Sequence, residues 1–361
     1  MRAPAAAHPA PSPPAPLASQ DPLTPVLAKT PRRPTGGLQR VSVVLIVSLV
    51  AALAAVPLLA TDFQLFRFSN ILIYALALIG VNLLVGYNGQ ISLGHGAFYA
   101  VGAYATALLV VHAGVAHWVA VPVAGIVCLG VGFLFSLPVL RLQPMHLAMA
   151  TFALGAVLPS LAKWKGVEHW TGGAQGLSID QPTVPFGLPL RFDQWIYWLA
   201  LLFVAVTFWL TFNLLRGRVG RVAIAIRDHP IAAQSMGIDS AYYKAAIFGI
   251  SAMLVGMAGG LGALSMRYVA PGMFGLFLSF GFLIGIAVGG LGSLSGALYG
   301  AVCLQFIFLV VGASASSLQM SNTPLIYGVV LILFLCLFPN GIAGLVTSAS
   351  ARLRRARARH R

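Results

Sequence analysis

Apolar residues run along this chain in blocks of roughly 20, separated by short polar or basic stretches, and a block of ~20 is what a helix needs to cross the hydrocarbon core of a bilayer. Windows of that kind fall at 41–60, 70–87, 94–113, 117–138, 145–163, 194–215, 245–264, 276–292, 296–313 and 324–339. The pattern predicts an all-α integral membrane protein, a polytopic helical bundle of about ten transmembrane helices (8–10). The stretches 88–113 and 276–313 contain no clean polar break, and their Gly and Pro leave room for interrupted helices.

Three segments stand outside the apolar pattern. Residues 1–38 carry ten Pro between Pro4 and Pro34 and no apolar periodicity, so they read as a disordered tail that cannot bury enough surface to offset its ordering entropy. The apolar run after it, from Val41 to Ala60, is longer than the 7–15 residues typical of a cleavable signal, which favours an anchor helix. Residues 164–193 are polar, with Trp164, Trp170, Glu168, Asp180 and Asp193. Residues 216–244 are basic and mixed in charge, and a basic tail follows at 346–361. The transmembrane core between the two tails spans 39–345.

Composition sharpens this reading. Of 361 residues 59% are hydrophobic and 8% charged, against about 25% charged in an ordinary soluble domain. The mean hydropathy is +0.90. So few charges cannot cover a water-facing surface, which excludes a soluble globular protein. The net charge of +15 would suit nucleic acid, but 16 of the 22 Lys and Arg lie before residue 41, within 216–244, or after Ala351. They flank apolar runs, so the partner they indicate is a lipid bilayer and not a nucleic acid. Basic residues concentrate in cytoplasmic loops. With an even number of spans both termini and the 216–244 loop fall inside, together with Arg141, and 164–193 falls outside.

Candidate chemistry is sparse. No acid lies between Asp62 and Glu168 or after Asp239, so none of the predicted spans holds a carboxylate. Ion-coupled transporters and proton pumps usually place one at membrane depth, although backbone carbonyls can hold sodium without it. Enzymatic acid–base work loses its usual groups as well. Ser92 and His95 resemble a nucleophile–base pair in spacing, but nothing orients the His, and a helix-end or pore-lining role fits it better. Cys128, Cys303 and Cys336 are far apart in apolar runs and read as small core residues, with no metal site and no cofactor implied. GGLGSLSG lacks the Lys of a phosphate-binding loop. The series Gly281, Gly285, Gly289 and Gly292, Gly296, Gly300, with Gly256 and Gly260, instead reads as close helix packing. In 216–244, Asp228 and Pro230 resemble a helix start, Ile231 to Met236 its body and Gly237 its stop. The result is one short surface helix, either a solvated connection or a docking knob for a soluble partner.

At this point the residues resemble a known family: the inner-membrane permeases of branched-chain amino-acid ABC importers, of the LivM type. NLLVGYNGQISLGHGAFYAVGAYATALL (82–109), TGGAQGL (171–177), the 216–244 loop, and GGLGSLSGALYGA with FPNGIAGL near the C-terminus are similar to that family's blocks, in order, over about 41–345. The resemblance implies a non-enzymatic subunit that pairs with a second homologous permease, two cytoplasmic ABC ATPase subunits and a periplasmic or extracellular solute-binding protein, in a bacterial inner membrane. It implies an ATPase-coupling element from Arg227 and Asp228 through Ala232, Ala233 and Gly237 to Lys244. The Ala-Ala and Gly keep the family spacing, but Ile231 stands where ABC permeases carry Glu, with Asp228 one turn earlier as a substitute. It also implies a substrate path or inner gate at Asn88, Gln90, Ser92 and His95, and docking of the binding protein at Thr171, Gly172, Gly173 and Gly176. Leu, Ile and Val are the family's principal substrates; urea, other amino acids and aromatic acids stay open, and an autonomous secondary transporter or channel is the competing class.

Overall fold

The structure is a computed structural model that describes residues 56–57, 60–139, 144–181, 184, 190–317, 328–329 and 341–344. The tails at 1–38 and 346–361, nearly all of the predicted spans 41–60 and 324–339, and Cys336 lie outside the described residues.

Helix α1 (Asp62–Asn82) opens where the Gln64 side chain accepts the Thr61 N–H at 3.0 Å, and it runs on without interruption into a π-helical turn, Leu83–Tyr87. After a break at 88–94 the chain re-enters as α2 (His95–Val111). Then come α3 (His117–Val139), α4 (Pro144–Ala162) and a single turn, α5 (Glu168–Thr171). The long α6 (Phe192–Arg216) leads to two short helices, α7 (Arg218–Asp228) and α8 (Pro230–Ser235). Helix α9 (Ser240–Met266) follows, capped by Asp239 Oδ1, which accepts from the N–H groups of Ala241 and Tyr242 at 3.0 and 3.2 Å. The last pair is α10 (Leu276–Gly289) and α11 (Leu294–Ser317). Two residue pairs, Leu177–Ser178 (β1) and Tyr268–Val269 (β2), form a small antiparallel ribbon.

Among the described residues four helices are long and apolar enough to cross a membrane: α1 with its π turn, α3, α6 and α9. The pair α10 and α11 turns through 118° between Gly289 and Leu294 and counts as one broken span or a re-entrant loop. This corrects the expectation of two full spans at 276–313. The 14 residues of α10 rise only about 21 Å, short of the ~30 Å hydrocarbon core. Helix α2, at 17 residues, is likewise shorter than the window 94–113 suggested, because Gly94 is its N-cap and the chain turns at His112 and Ala113.

Helix α9 is the axle of the bundle, buried along nearly its whole length between α1, α2 and α3. Small residues let it sit there, because in lipid there is no ordinary hydrophobic drive and close backbone contact must supply dispersion energy instead. A Cβ added at Gly102 of α2 would stand 2.0 Å from the Gly256 carbonyl oxygen of α9, and one at Gly259 would stand 1.9 Å from that of Tyr99. The α10–α11 contact works the same way through Gly285, Gly289 and Gly300, whereas Gly281 faces open space and is not a packing residue. Helices α3 and α6 turn large apolar side chains outward, among them Ile126, Leu134, Leu202 and Trp209. An apolar exterior around a tightly packed interior is what a lipid solvent selects.

The two ends of the bundle are well defined. Arg191, just before α6, forms a bidentate pair with Asp62 at the start of α1, at 3.0 and 3.2 Å. The β1–β2 ribbon and the 164–181 segment share that end through Arg267, which closes α9, lies 3.8 Å from Asp193 and stacks on Phe192. At the opposite end the π turn, α7, α8 and the α10–α11 turn come together.

Candidate functional site

Four segments that are remote in sequence converge at the second end. Asn82 reaches across to the α10–α11 turn: its Nδ2 donates to the Ser293 carbonyl at 2.7 Å and its Oδ1 accepts the Gly292 N–H at 3.0 Å. Gly86, one turn on, packs so closely against Gly292 that an added Cβ would lie 2.5 Å from the Gly292 nitrogen. The Gly86 carbonyl accepts a hydrogen bond from Arg227 Nη1 at 2.7 Å. Gly341 and Ala343, from the fourth segment, press on Gly290.

The break at 88–94 is the centre of this cluster. It dips back into the bundle and is tied down by hydroxyls from other helices. The Leu93 N–H donates to Thr151 Oγ1 of α4 at 3.0 Å, and the Gly96 N–H donates to Ser279 Oγ of α10 at 2.9 Å. Such ties are required, since the first N–H groups of α2 have no partners within their own helix and lie buried.

The four path residues expected from sequence are all buried, and they divide into two pairs of different character. Ser92 and His95 belong to a closed network. Ser251 Oγ, on α9, donates to the Gly80 carbonyl at 2.7 Å and lies 2.9 Å from His95 Nε2. A hydroxyl has one proton, so Ser251 accepts from an Nε2–H, and the other ring nitrogen, Nδ1, lies 2.9 Å from the Ser92 hydroxyl. Both ring nitrogens are thereby occupied. This arrangement makes it a helix-end lock between α1, α2 and α9, packed edge-on to Phe98. It leaves neither nitrogen free for acid–base chemistry.

Asn88 and Gln90 are the opposite case. Each is under 5% exposed, yet all four side-chain amide atoms lack a hydrogen-bond partner. Burying an amide unsatisfied costs on the order of 1–3 kcal/mol. Here that penalty falls twice within three residues, at the break between two helices.

The 216–244 loop differs from its expected form. Asp228 does not start the short helix; it is the last residue of α7, where its Oδ1 holds Arg227 Nε at 2.8 Å. His229 is the N-cap of α8, with Pro230 in the first helical position. The stop at Gly237 is a left-handed residue (φ 80°) in a Schellman arrangement: the N–H of Ile238 donates to the Ala233 carbonyl at 3.2 Å and that of Gly237 to Gln234 at 2.9 Å. Ala233 faces inward and is buried; Ala232 and Gly237 are exposed, as are Ile231 and Met236, and Lys244 is half-buried in the first turn of α9. Helix α7, with Gly220, Ala223 and Ile226 on its buried face, is a second surface helix that the sequence reading did not separate.

At the other end Thr171, Gly172, Gly173 and Gly176 build a turn rather than present a surface. Thr171 Oγ1 donates inward to the Ala162 carbonyl at 2.7 Å, and the three glycines take positive φ values of 73°, 56° and 78°. A Cβ on Gly176 would stand 2.4 Å from the Val269 carbonyl oxygen, and the Tyr268 hydroxyl donates to the Gln175 carbonyl. The exposed tip is Ala174 and Gln175.

Known proteins carry the same sequence organisation. The family model described as "Branched-chain amino acid transport system / permease component" matches residues 63–335. The high-affinity branched-chain amino acid transport system permease protein LivM of Escherichia coli is 33% identical over 296 aligned residues, covering 75% of this chain and 68% of its own length. LivM of Salmonella typhimurium aligns to the same extent. The permease protein BraD of Pseudomonas aeruginosa is 27% identical over 297 residues, covering 75% of this chain and 91% of its own. No solved structure matches.

Proposed function

Since the chain belongs to the branched-chain amino acid transport system permease family, a family of transport proteins and not of enzymes, we propose that it is the membrane-spanning subunit of an ATP-driven importer for Leu, Ile, Val or a related small solute. It sits in a bacterial inner membrane as a multi-pass protein of eight to ten spans with both termini cytoplasmic. Its partners are a second homologous permease, two cytoplasmic ABC ATPases and an external solute-binding protein.

The observation that carries this reading is the convergence of 82–96, Arg227 and 289–293 on one end of the bundle, with α8 standing exposed directly beside them. On this reading α8 seats in a groove of the ATPase. Ala232 suits such a seat because a small side chain lets the helix approach closely. Asp228 is already paired with Arg227, so the apolar pair Ile231 and Met236 supplies the contact in place of a carboxylate. Asn88 and Gln90 line the inner part of the path, their free amides meeting the polar backbone of the passing solute. The Ala174–Gln175 tip faces the binding protein, with Thr171, Gly172, Gly173 and Gly176 holding its shape.

The test is to tag the chain in its native membrane, purify it in mild detergent and identify what accompanies it by mass spectrometry. An ABC ATPase and a second permease are expected, and vesicles reconstituted with the complex should accumulate labelled leucine only with ATP and binding protein. A chain that purifies alone and moves solute without ATP would establish an autonomous transporter instead.

A further inference from the structure

We propose that Arg227 is the positioning residue that transmits movement of α8 to the break at 88–94, so that ATPase motion and the inner path are mechanically joined through one guanidinium. The inference rests on the importer reading. Its geometry has three parts.

The first is the division of the guanidinium's donors. Nε is held by Asp228 at 2.8 Å, and Nη1 crosses to the Gly86 carbonyl at 2.7 Å. Asp228 thereby fixes the plane of the group, and Nη1 is presented to α1 in a set direction. Lysine, a single point of charge on a flexible stem, cannot make both contacts in those directions.

The second is where those contacts land. Gly86 lies in the π turn, within the last turn of the α1 helix, where carbonyls run out of intrahelical donors. Three residues later Gly89 adopts φ 70°, and a Cβ there would meet Arg227 Cγ at 2.7 Å. The arginine therefore touches the chain on both sides of Tyr87–Asn88, its head on Gly86 and its stem on Gly89. It also flanks the turn between α10 and α11, with Nη1 3.6 Å from the position of a Gly292 Cβ. A displacement of Arg227 cannot leave the break unmoved.

The third is the distance to α8. Only Asp228 and His229 separate Arg227 from Pro230, whose ring fixes the first helical φ. There is no slack in two residues for a loop to absorb a shift. On the far side the break is anchored to Thr151 and Ser279. Motion delivered at Gly86 and Gly89 is therefore concentrated at Asn88 and Gln90, the two residues with unpartnered amides.

The experiment compares wild type, Arg227→Ala and Arg227→Lys in the complete complex, reconstituted in vesicles, reading ATP hydrolysis and leucine uptake in the same preparation. Arg227→Ala is expected to keep hydrolysis within about twofold while uptake falls about tenfold or more, a change of ordinary size for a coupling energy, with Arg227→Lys between the two. A second reading uses Gln90→Cys: labelling of this thiol by an impermeant maleimide should change on trapping the ATP-bound state, and Arg227→Ala should abolish that change. Hydrolysis and uptake falling together would overturn the proposal and make Arg227 part of ATPase docking. Unaltered uptake, or unaltered nucleotide-dependent labelling, would overturn it outright. A wild-type complex that takes up nothing on addition of ATP would instead sink the importer reading on which it stands.

Discussion

His95 Nε2 and Ser251 Oγ, 156 residues apart, lie 2.9 Å from one another with no water-facing side, and the Ser251 hydroxyl donates its own hydrogen bond to the Gly80 carbonyl. One hydroxyl thus joins three helices. Ser251→Ala removes an acceptor and a donor at once. It should lower the stability of the purified chain by about 1–2 kcal/mol, toward the upper end of interhelical hydrogen bonds in membranes because the imidazole N–H is left unpaired. Thermal unfolding in detergent measures this, with Ser251→Thr, which keeps the hydroxyl, expected close to wild type. Equal melting of all three proteins would show that the network holds nothing.

Gln90 and Asn88 should behave in the contrary way. Their amides are buried without partners, so replacing Gln90 by Leu removes a desolvation penalty and should raise stability by up to about 2 kcal/mol. On the proposed role as path-lining groups the same change should depress solute uptake severalfold. A variant that is more stable and transports normally would take Gln90 out of the path. The same logic applies to Asn88→Leu.

Glycine substitutions separate packing from open surface. Gly102→Ala drives a methyl into the Gly256 carbonyl and should destabilise the bundle by at least about 1–3 kcal/mol, since neither backbone can retreat. Gly281→Ala meets nothing within 4 Å and, lying inside a helix, should be neutral or slightly favourable. Expression level and melting temperature of the two variants, side by side, provide the check.

For α8, Gly237→Pro is incompatible with φ 80°, because proline holds φ near −65°. It should abolish ATP-driven uptake while the protein still inserts, and Ala232→Trp, which adds bulk on an exposed position, should do the same. Gly237→Ala should be milder, with roughly 1–2 kcal/mol of left-handed strain confined to the end of the helix. Membrane fractionation together with uptake distinguishes lost coupling from lost insertion, and normal uptake by Gly237→Pro would argue for a transporter that needs no ATPase.

Much of this arrangement is legible in the linear sequence, and the reasons it stops being legible are specific. The spans at 117–138 and 194–215 sit within two residues of α3 and α6, because long apolar runs ended by polar residues leave one physical solution in lipid, and the window 145–163 coincides with α4, an apolar helix shorter than the four long enough to cross a membrane. Helix α1 begins eight residues before its expected start, since Asp62 and Arg67 look like loop residues until Arg191 is seen to pair with Asp62 across 129 positions. The same blindness to distant partners hid Asn82, Ser251, Thr151 and Ser279. Each is a lone polar residue in an apolar run, which is signal enough to suspect a bond but not to name its partner. His95, which the sequence reads as a helix-end or pore-lining group on the inner path, is the first residue of α2, whereas Asp228 belongs to the helix before the one it is read as starting, because Pro230 marks a start whether its cap is one residue before it or two.

The π turn at Leu83–Tyr87 carries a consequence of another kind. A π turn holds one residue more than its α-helical counterpart, and each residue in a regular helix advances the azimuth by about 100°. Deleting one residue from 83–85 would restore ordinary phase and swing the Gly86 carbonyl roughly a quarter-turn or more away from Arg227. The junction between the surface loop and the break is therefore set by a count of residues as much as by their identities. A conservative exchange in this turn leaves that count intact, whereas a deletion changes it and disengages the two parts of the molecule with Arg227 still present.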